Sequence, residues 1–273
     1  MAIIAVSQQF GSRGVELGKQ TAKLLGYRFL SSEDLIGQVS RVYHVTPEQL
    51  VVVDEREPHF WSRLKTESVR FISFFRATLL REMAENRLVV VGRSPAVYLP
   101  PFGCGLKVRT VGPFEDRARH VGERENLAAV AAQRRVREYD REVRARIQTL
   151  TGVDVEDPAF FDVVINGYGA PLEFSAAALA VYAQRLDAQI KPEQWQRLRD
   201  AATAAQVRAA CHAHPKLGHA PIEVECCEGV VQVRGPGLVP PWDQLANQVA
   251  SQIEGVRSVQ IEADESPIPV RAD

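Results

Sequence analysis

Short apolar runs alternate with longer amphipathic stretches along most of the chain. Residues 2–6 (AIIAV), 87–93 (RLVVVGR), 106–112 (LKVRTVG) and 161–166 (FDVVIN) are too short for helices and rich in Val and Ile, so they predict buried strands. Between them the spacing turns helical. Residues 14–25 put Leu17, Thr21, Leu24 and Leu25 on one side, and 32–43 and 47–52 follow with Ser32 and Thr46 as caps. The breaker DEREP, Asp54 to Pro58, precedes a long helix from about Trp61 to Asn86, and further helices cover 172–187 and 192–213. Alternating strands and helices predict an α/β fold with a mostly parallel sheet covered on both faces. Ligands of such sheets lie at the carboxyl ends of the strands, where the polar residues after the first two runs fall.

Past residue 213 the period drops to two. PIEVECCEGVVQVRG predicts an antiparallel hairpin turning at Glu228-Gly229, WDQLANQVASQIEGV an amphipathic helix, and VRSVQIEAD a last strand. KPEQW, Lys191 to Trp195, reads as a linker. The expected organisation is an α/β domain over 1–190, a linker at 191–200, a small α+β domain over 201–266 and a tail at 267–273.

Composition narrows the function classes. A net charge of −1 over 273 residues argues against bulk binding to nucleic acid, but leaves room for a small anion at a local basic site. The apolar runs are strand-sized, which excludes a membrane span, and MAIIAVSQQ lacks the basic start and long apolar core of a secretion signal. Four cysteines without a CxxC pair fit a reducing cytoplasm and offer no metal centre. His212, His214 and His219 lack partners at metal-site spacing and read as solvated residues near a helix end.

Candidate chemistry gathers at three places. In SQQFGSRGVELGK, Gly11, Ser12, Arg13 and Gly14 form a tight turn between a strand and a helix. Such a turn lets backbone N–H groups and the helix dipole hold an anion, and it is equally a plain corner of an α/β protein. The full GxxxxGK[ST] loop would place lysine where Val15 stands. Arg134, Arg137, Arg141 and Arg144 share one helical stripe, opposite Val136, Tyr139, Val143, Ile147 and Leu150. That stripe suits phosphate, or it is a solvated face laced by Asp140–Arg144 and Glu142–Arg146 pairs. Arg93 ends the second strand at the ligand edge, to contact a phosphate, cap a helix or pair with Asp54 or Glu55.

These stretches together resemble the cytidylate kinase-like family of P-loop nucleoside monophosphate kinases. The resemblance rests on SQQFGSRGVELGKQTAKLLGY, DEREPHFW, VVVGRSPAVYL and REYDREVRARIQTLTGVDVEDPAFFDVVIN, and covers roughly residues 2–185. That family also lacks the lysine in register. This chain departs from its pattern further, with Arg13 in place of a glycine, Val15 in place of an arginine and Ser31 in place of an aspartate. The resemblance implies a three-layer P-loop kinase fold using ATP and Mg²⁺ to phosphorylate a nucleotide monophosphate, with CMP as the first candidate. Gly11, Ser12, Arg13 and Gly14 would then cradle donor phosphates. Arg141, Arg144 and Arg134 would close over the transferring group with Arg13 as the relocated charge, while Arg93, Asp54 and Glu55 would contact the acceptor. The rival is a nucleotide-binding sensor without catalysis, and a weaker third reading is a structural scaffold. The C-terminal stretch resembles a BON domain at IEVECCEGVVQVRG and GVRSV, which implies a module for a small ligand or for self-association.

Overall fold

The computed structural model describes residues 1–46, 65–218 and 221–263. The first sheet and its helices run β1 (Ile3–Gln8), α1 (Gly14–Leu25), β2 (Arg28–Ser31), α2 (Ser32–Tyr43), α3 (Lys65–Ala84), β3 (Leu88–Gly92), the single turn α4 (Pro95–Tyr98), β4 (Gly105–Val111), α5 (Phe114–Glu125), α6 (Ala129–Thr151), β5 (Val163–Asn166), α7 (Leu172–Asp187) and α8 (Pro192–Ala213). Five strands pair in the order β2-β3-β1-β4-β5, all parallel. The expected α/β fold with a parallel sheet is therefore present, with β2 added at an edge. β2 has only four residues, too few to display a period. The expected helix at 47–52 and the start of the long helix at 61–64 lie outside the described residues.

Strand alternation splits the core into two layers. Ile4, Val6, Val89, Val91, Leu106 and Val108 face α1 and α7, which add Leu17, Leu172, Ala176 and Leu179. Ile3, Ala5, Leu88 and Val90 point the other way, onto α2, α3 and α8 through Leu35, Phe74, Leu80 and Leu198. α2 is capped by Ser31, one residue before the predicted Ser32. The Ser31 hydroxyl accepts the Asp34 N–H and the Asp34 carboxylate accepts the Ser31 N–H, each at 3.1 Å.

The second sheet contains β6 (Glu223–Cys227), β7 (Val230–Gly235) and β8 (Ser258–Ala263), with α9 (Trp242–Ser251) between the last two. β6 and β7 form the expected antiparallel hairpin, turning at Glu228 and Gly229 with φ of 49° and 82°, and β8 joins β7 in parallel.

The 191–200 stretch corrects the expectation of a linker. α8 starts at Pro192 and runs unbroken for 22 residues. One face, Leu198, Ala202, Ala205 and Ala209, completes the first core. Val207 and Cys211 enter a second core with Ile222, Val231, Val233 and Ala246. Proline at the first helical position starts a helix here. Cys104 and Cys211 are buried free thiols, both pushed up to about 11 by burial. Among the described residues no helix is long and apolar enough to cross a membrane.

Candidate active site

The turn between β1 and α1 is built by backbone constraints at both glycines. Gly11 has φ +77°, and a Cβ there would stand 2.7 Å from the Arg117 carbonyl oxygen and 2.9 Å from the Val121 side chain. A Cβ on Gly14 would stand 2.6 Å from Gln8 Oε1 and 2.7 Å from Thr110 Oγ1. Ser12 closes the turn, its N–H donating to the Gln9 carbonyl at 3.1 Å. The Ser12 hydroxyl is fully buried, 2.8 Å from the Gln9 carbonyl, 2.8 Å from Thr110 Oγ1 and 3.1 Å from the Thr110 carbonyl. It ties the loop to β4 and does not face outward.

Arg13 is the N-cap of α1, in the left-handed region at φ 64°, and its side chain accepts no hydrogen bond from the helix. The first backbone bond of the helix is donated by Leu17 to the Arg13 carbonyl. The N–H groups of Gly14, Val15 and Glu16 therefore stay open at the positive end of the dipole, which suits a phosphate. The Arg13 guanidinium is 3.4 Å from the Gly167 carbonyl, 3.6 Å from the Glu16 carboxylate and 5.8 Å from the Tyr168 ring centre. Tyr168 donates its hydroxyl to the Gly11 carbonyl at 2.6 Å, so the segment after β5 lies on the loop. Burial raises the Tyr168 pKa, and Arg13 draws it back down.

A cleft of about 580 Å³, counted to its open mouth, lies at the carboxyl end of β3 between α2, α3 and α6. Its walls include Ile36, Phe71, Phe75 and Tyr98, and Arg93 and Arg146 are the charged groups that line it among the described residues. Arg93 donates to the Tyr139 hydroxyl and lies 4.7 Å over that ring. Tyr139 stacks on Phe10 at 4.1 Å between ring centres. Asp140 fastens α6 to the loop, accepting the Phe10 N–H at 3.1 Å and the Arg117 guanidinium at 2.6 Å. Arg117 also donates to the Phe10 and Gly112 carbonyls, each at 3.0 Å. Beneath them Arg109 on β4 donates to Glu156 at 3.0 Å. Burial lowers the Arg109 pKa, and Glu156 opposes that shift.

The arginine stripe of α6 lies on the outward face. Arg134 is 77% exposed and 3.8 Å from Glu138, Arg144 donates to Asp154 at 2.7 Å, Arg137 stands over the Phe114 ring, and Arg141 is exposed. The inward face carries Val136, Tyr139, Val143, Arg146 and Ile147, with Arg135 half-buried against Phe10 and Tyr139. The structure thus brings Arg93 to the cleft with Arg146, and leaves Arg134, Arg141 and Arg144 on the far side of the helix. Sequence reasoning missed Arg146, although a cation interrupting an apolar stripe is a readable signal. It also missed Tyr168, Arg117 and Arg109. Asp54 and Glu55 lie outside the described residues. Among the described residues no three His, Cys, Asp or Glu side chains gather to hold an ion.

Comparison with known proteins gives a consistent result. A family model, the cytidylate kinase-like family, matches residues 3–167. A cytidylate kinase of Thermococcus kodakarensis is 23% identical over 164 residues, spanning 60% of this chain and 78% of its own. A cytidylate kinase of Pyrobaculum calidifontis is 22% identical over 166 residues, spanning 61% and 84%. In fold, the crystal structure of an uncharacterized protein from Eubacterium ventriosum aligns with a TM-score of 0.53 at 18% identity, covering 67% of this chain and 98% of that one.

Proposed function

The chain belongs to the cytidylate kinase-like family, and on that premise we propose that it transfers the γ-phosphoryl group of ATP to a nucleoside monophosphate. CMP is the first acceptor to test, because the matched relatives are cytidylate kinases. The observation that carries this reading is the cleft itself, which holds Arg93 and Arg146 within aromatic and aliphatic walls at the end of β3, the strand paired with β1. Phosphoryl transfer needs positioning and offset of charge more than covalent help. The N–H groups of Gly14, Val15 and Glu16 hold donor phosphates, with Arg13 beside them. Arg93 and Arg146 grip the acceptor phosphate, since a guanidinium binds two oxygens at once. Phe71, Phe75 and Tyr98 give a base its apolar contact. Magnesium enters with the nucleotide, and supplies further charge neutralisation when bound. Asp54 and Glu55 stay candidates for the ribose or base. Arg141, Arg144 and Arg134 serve the transfer step only if α6 turns its outer face inward, so they rank below Arg146.

The second reading is a nucleotide-binding protein without turnover. It is favoured by the Ser12 hydroxyl, engaged with Gln9 and Thr110, and by Val15 standing where the family pattern has arginine. For residues 201–263 we retain the BON-like reading as a ligand or self-association module, supported by the order α8-β6-β7-α9-β8.

An ADP-release assay with ATP, magnesium and each common ribonucleoside monophosphate tests the proposal. Turnover with one acceptor supports transfer. Nucleotide-induced thermal stabilisation without turnover supports the second reading. Neither response to any nucleotide would sink both.

A further inference from the structure

Two arginines meet across the seam between α3 and α8. His212 on α8 is buried and stands 2.9 Å from the Ser73 hydroxyl on α3. Arg76 lies three residues beyond Ser73, and Arg208 four residues before His212. Arg76 acts electrostatically on Arg208, so the two helices run antiparallel. A rise of about 1.5 Å per residue then sets both arginines level to within about 2 Å. At about 100° per residue both turn from the Ser73–His212 contact toward the same flank. Glu223, the first residue of β6, also acts on Arg208. The flank is therefore the one where α3 meets the second sheet.

The two charges lack a counter-ion. Arg76 is exposed and Arg208 half-buried, and neither makes a hydrogen bond or an ion pair among the described residues. The Arg208 Nε is buried with no acceptor. Burial lowers the Arg208 pKa, Arg76 lowers it further, and Glu223 opposes both. Glu223 also acts on Arg234 of β7, so its charge is shared. A guanidinium keeps its proton in proteins, and two neighbouring positive charges repel until an anion bridges them. We propose that Arg76 and Arg208 form an oxyanion site for a phosphate group, at the junction of the α/β body and the second sheet. Two planar forks suit a phosphate, with three or more oxygens, better than a carboxylate with two. The site is separate from the cleft, to which α3 turns Phe71 and Phe75, and it stands whether or not the protein transfers phosphate.

Thermal unfolding and isothermal titration of the full chain with inorganic phosphate test the proposal. Arg76→Gln is the informative variant, because the site is exposed and the core is spared. Without phosphate, at low salt, it should melt above wild type, since one of two like charges is gone. Phosphate should raise the wild-type Tm. Its affinity should fall at least about tenfold in Arg76→Gln and in Arg208→Gln, the loss of one charged contact. In an Arg146→Ala background Arg76→Gln should cause the same loss, which separates this site from the cleft. The same titrations with CMP and ATP distinguish the sources of the phosphate group. A larger loss for a nucleotide than for inorganic phosphate assigns the site to a nucleotide, and otherwise the ligand is free phosphate. No response of wild type to phosphate, or a response that Arg76→Gln leaves unchanged, would overturn the proposal. So would an Arg76→Gln protein that melts below wild type without phosphate.

Discussion

Arg146 stands where the inner stripe of α6 would otherwise continue as apolar residues, with Val143 and Ile147 beside it. Its guanidinium lines the same cleft as Arg93, and a planar guanidinium can hold two phosphate oxygens at once. Helical spacing alone made both faces of α6 legible, and the apolar one was correctly opposed to the arginine stripe. A count of arginines drew attention outward, because a run of like charges is more visible than one charge among aliphatics. The loop shows a similar division. Gly11 and Gly14 were readable from their places between strand and helix. The inward turn of the Ser12 hydroxyl was not, because its partner Thr110 is 98 residues away in sequence. Ser12→Ala should lower stability by about 1–3 kcal/mol, the penalty for leaving buried polar partners unsatisfied, as measured by urea unfolding. Replacement by Thr should recover less than half of it, since the pocket is fully enclosed.

At the scale of elements, α1 and α7 begin and end where their spacing placed them, and α2 does so behind a serine cap one residue earlier than expected, because amphipathic period is a local signal. α2 shows what a cap adds. The Ser31 hydroxyl and backbone N–H hold the Asp34 carboxyl below its ordinary value of 3.8. A depressed carboxylate pKa stabilises the fold above the unfolded value, and that contribution is lost as pH falls through the folded value. Asp34→Ala should therefore lower Tm near neutrality and make little difference in strong acid. Ser31→Ala should cost about 1 kcal/mol at neutral pH, within the usual range for an N-cap. Calorimetry over that pH range checks both. β2 was not legible, since its side chains gain strand character only by pairing with β3.

For the whole molecule, α8 is the element that the sequence mislabelled in part, and the reason is tertiary. KPEQW is polar and carries a proline, the usual marks of a linker, yet the helix it opens seals two cores at once. The α/β body therefore lacks Leu198, Ala202, Ala205 and Ala209 if the chain is cut at 190. A 1–190 fragment should expose Phe74 and Leu80, bind a hydrophobic dye and lose its cooperative transition, while the full chain unfolds in one step. The parallel order β2-β3-β1-β4-β5 puts the open end of α1, Arg93 and Arg146 along one edge, which is the geometric basis of the proposed transfer. Steady-state ADP release with ATP, magnesium and CMP is the measurement to make first, comparing wild type, Arg146→Ala and Arg134→Ala. Wild type should turn over, Arg146→Ala should lose at least about tenfold in kcat/KM for CMP, a single charged contact being worth about 1.5–3 kcal/mol, and Arg134→Ala should match wild type. Loss on Arg134→Ala with Arg146→Ala unaffected would place the working face of α6 on its outer side and contradict the cleft assignment.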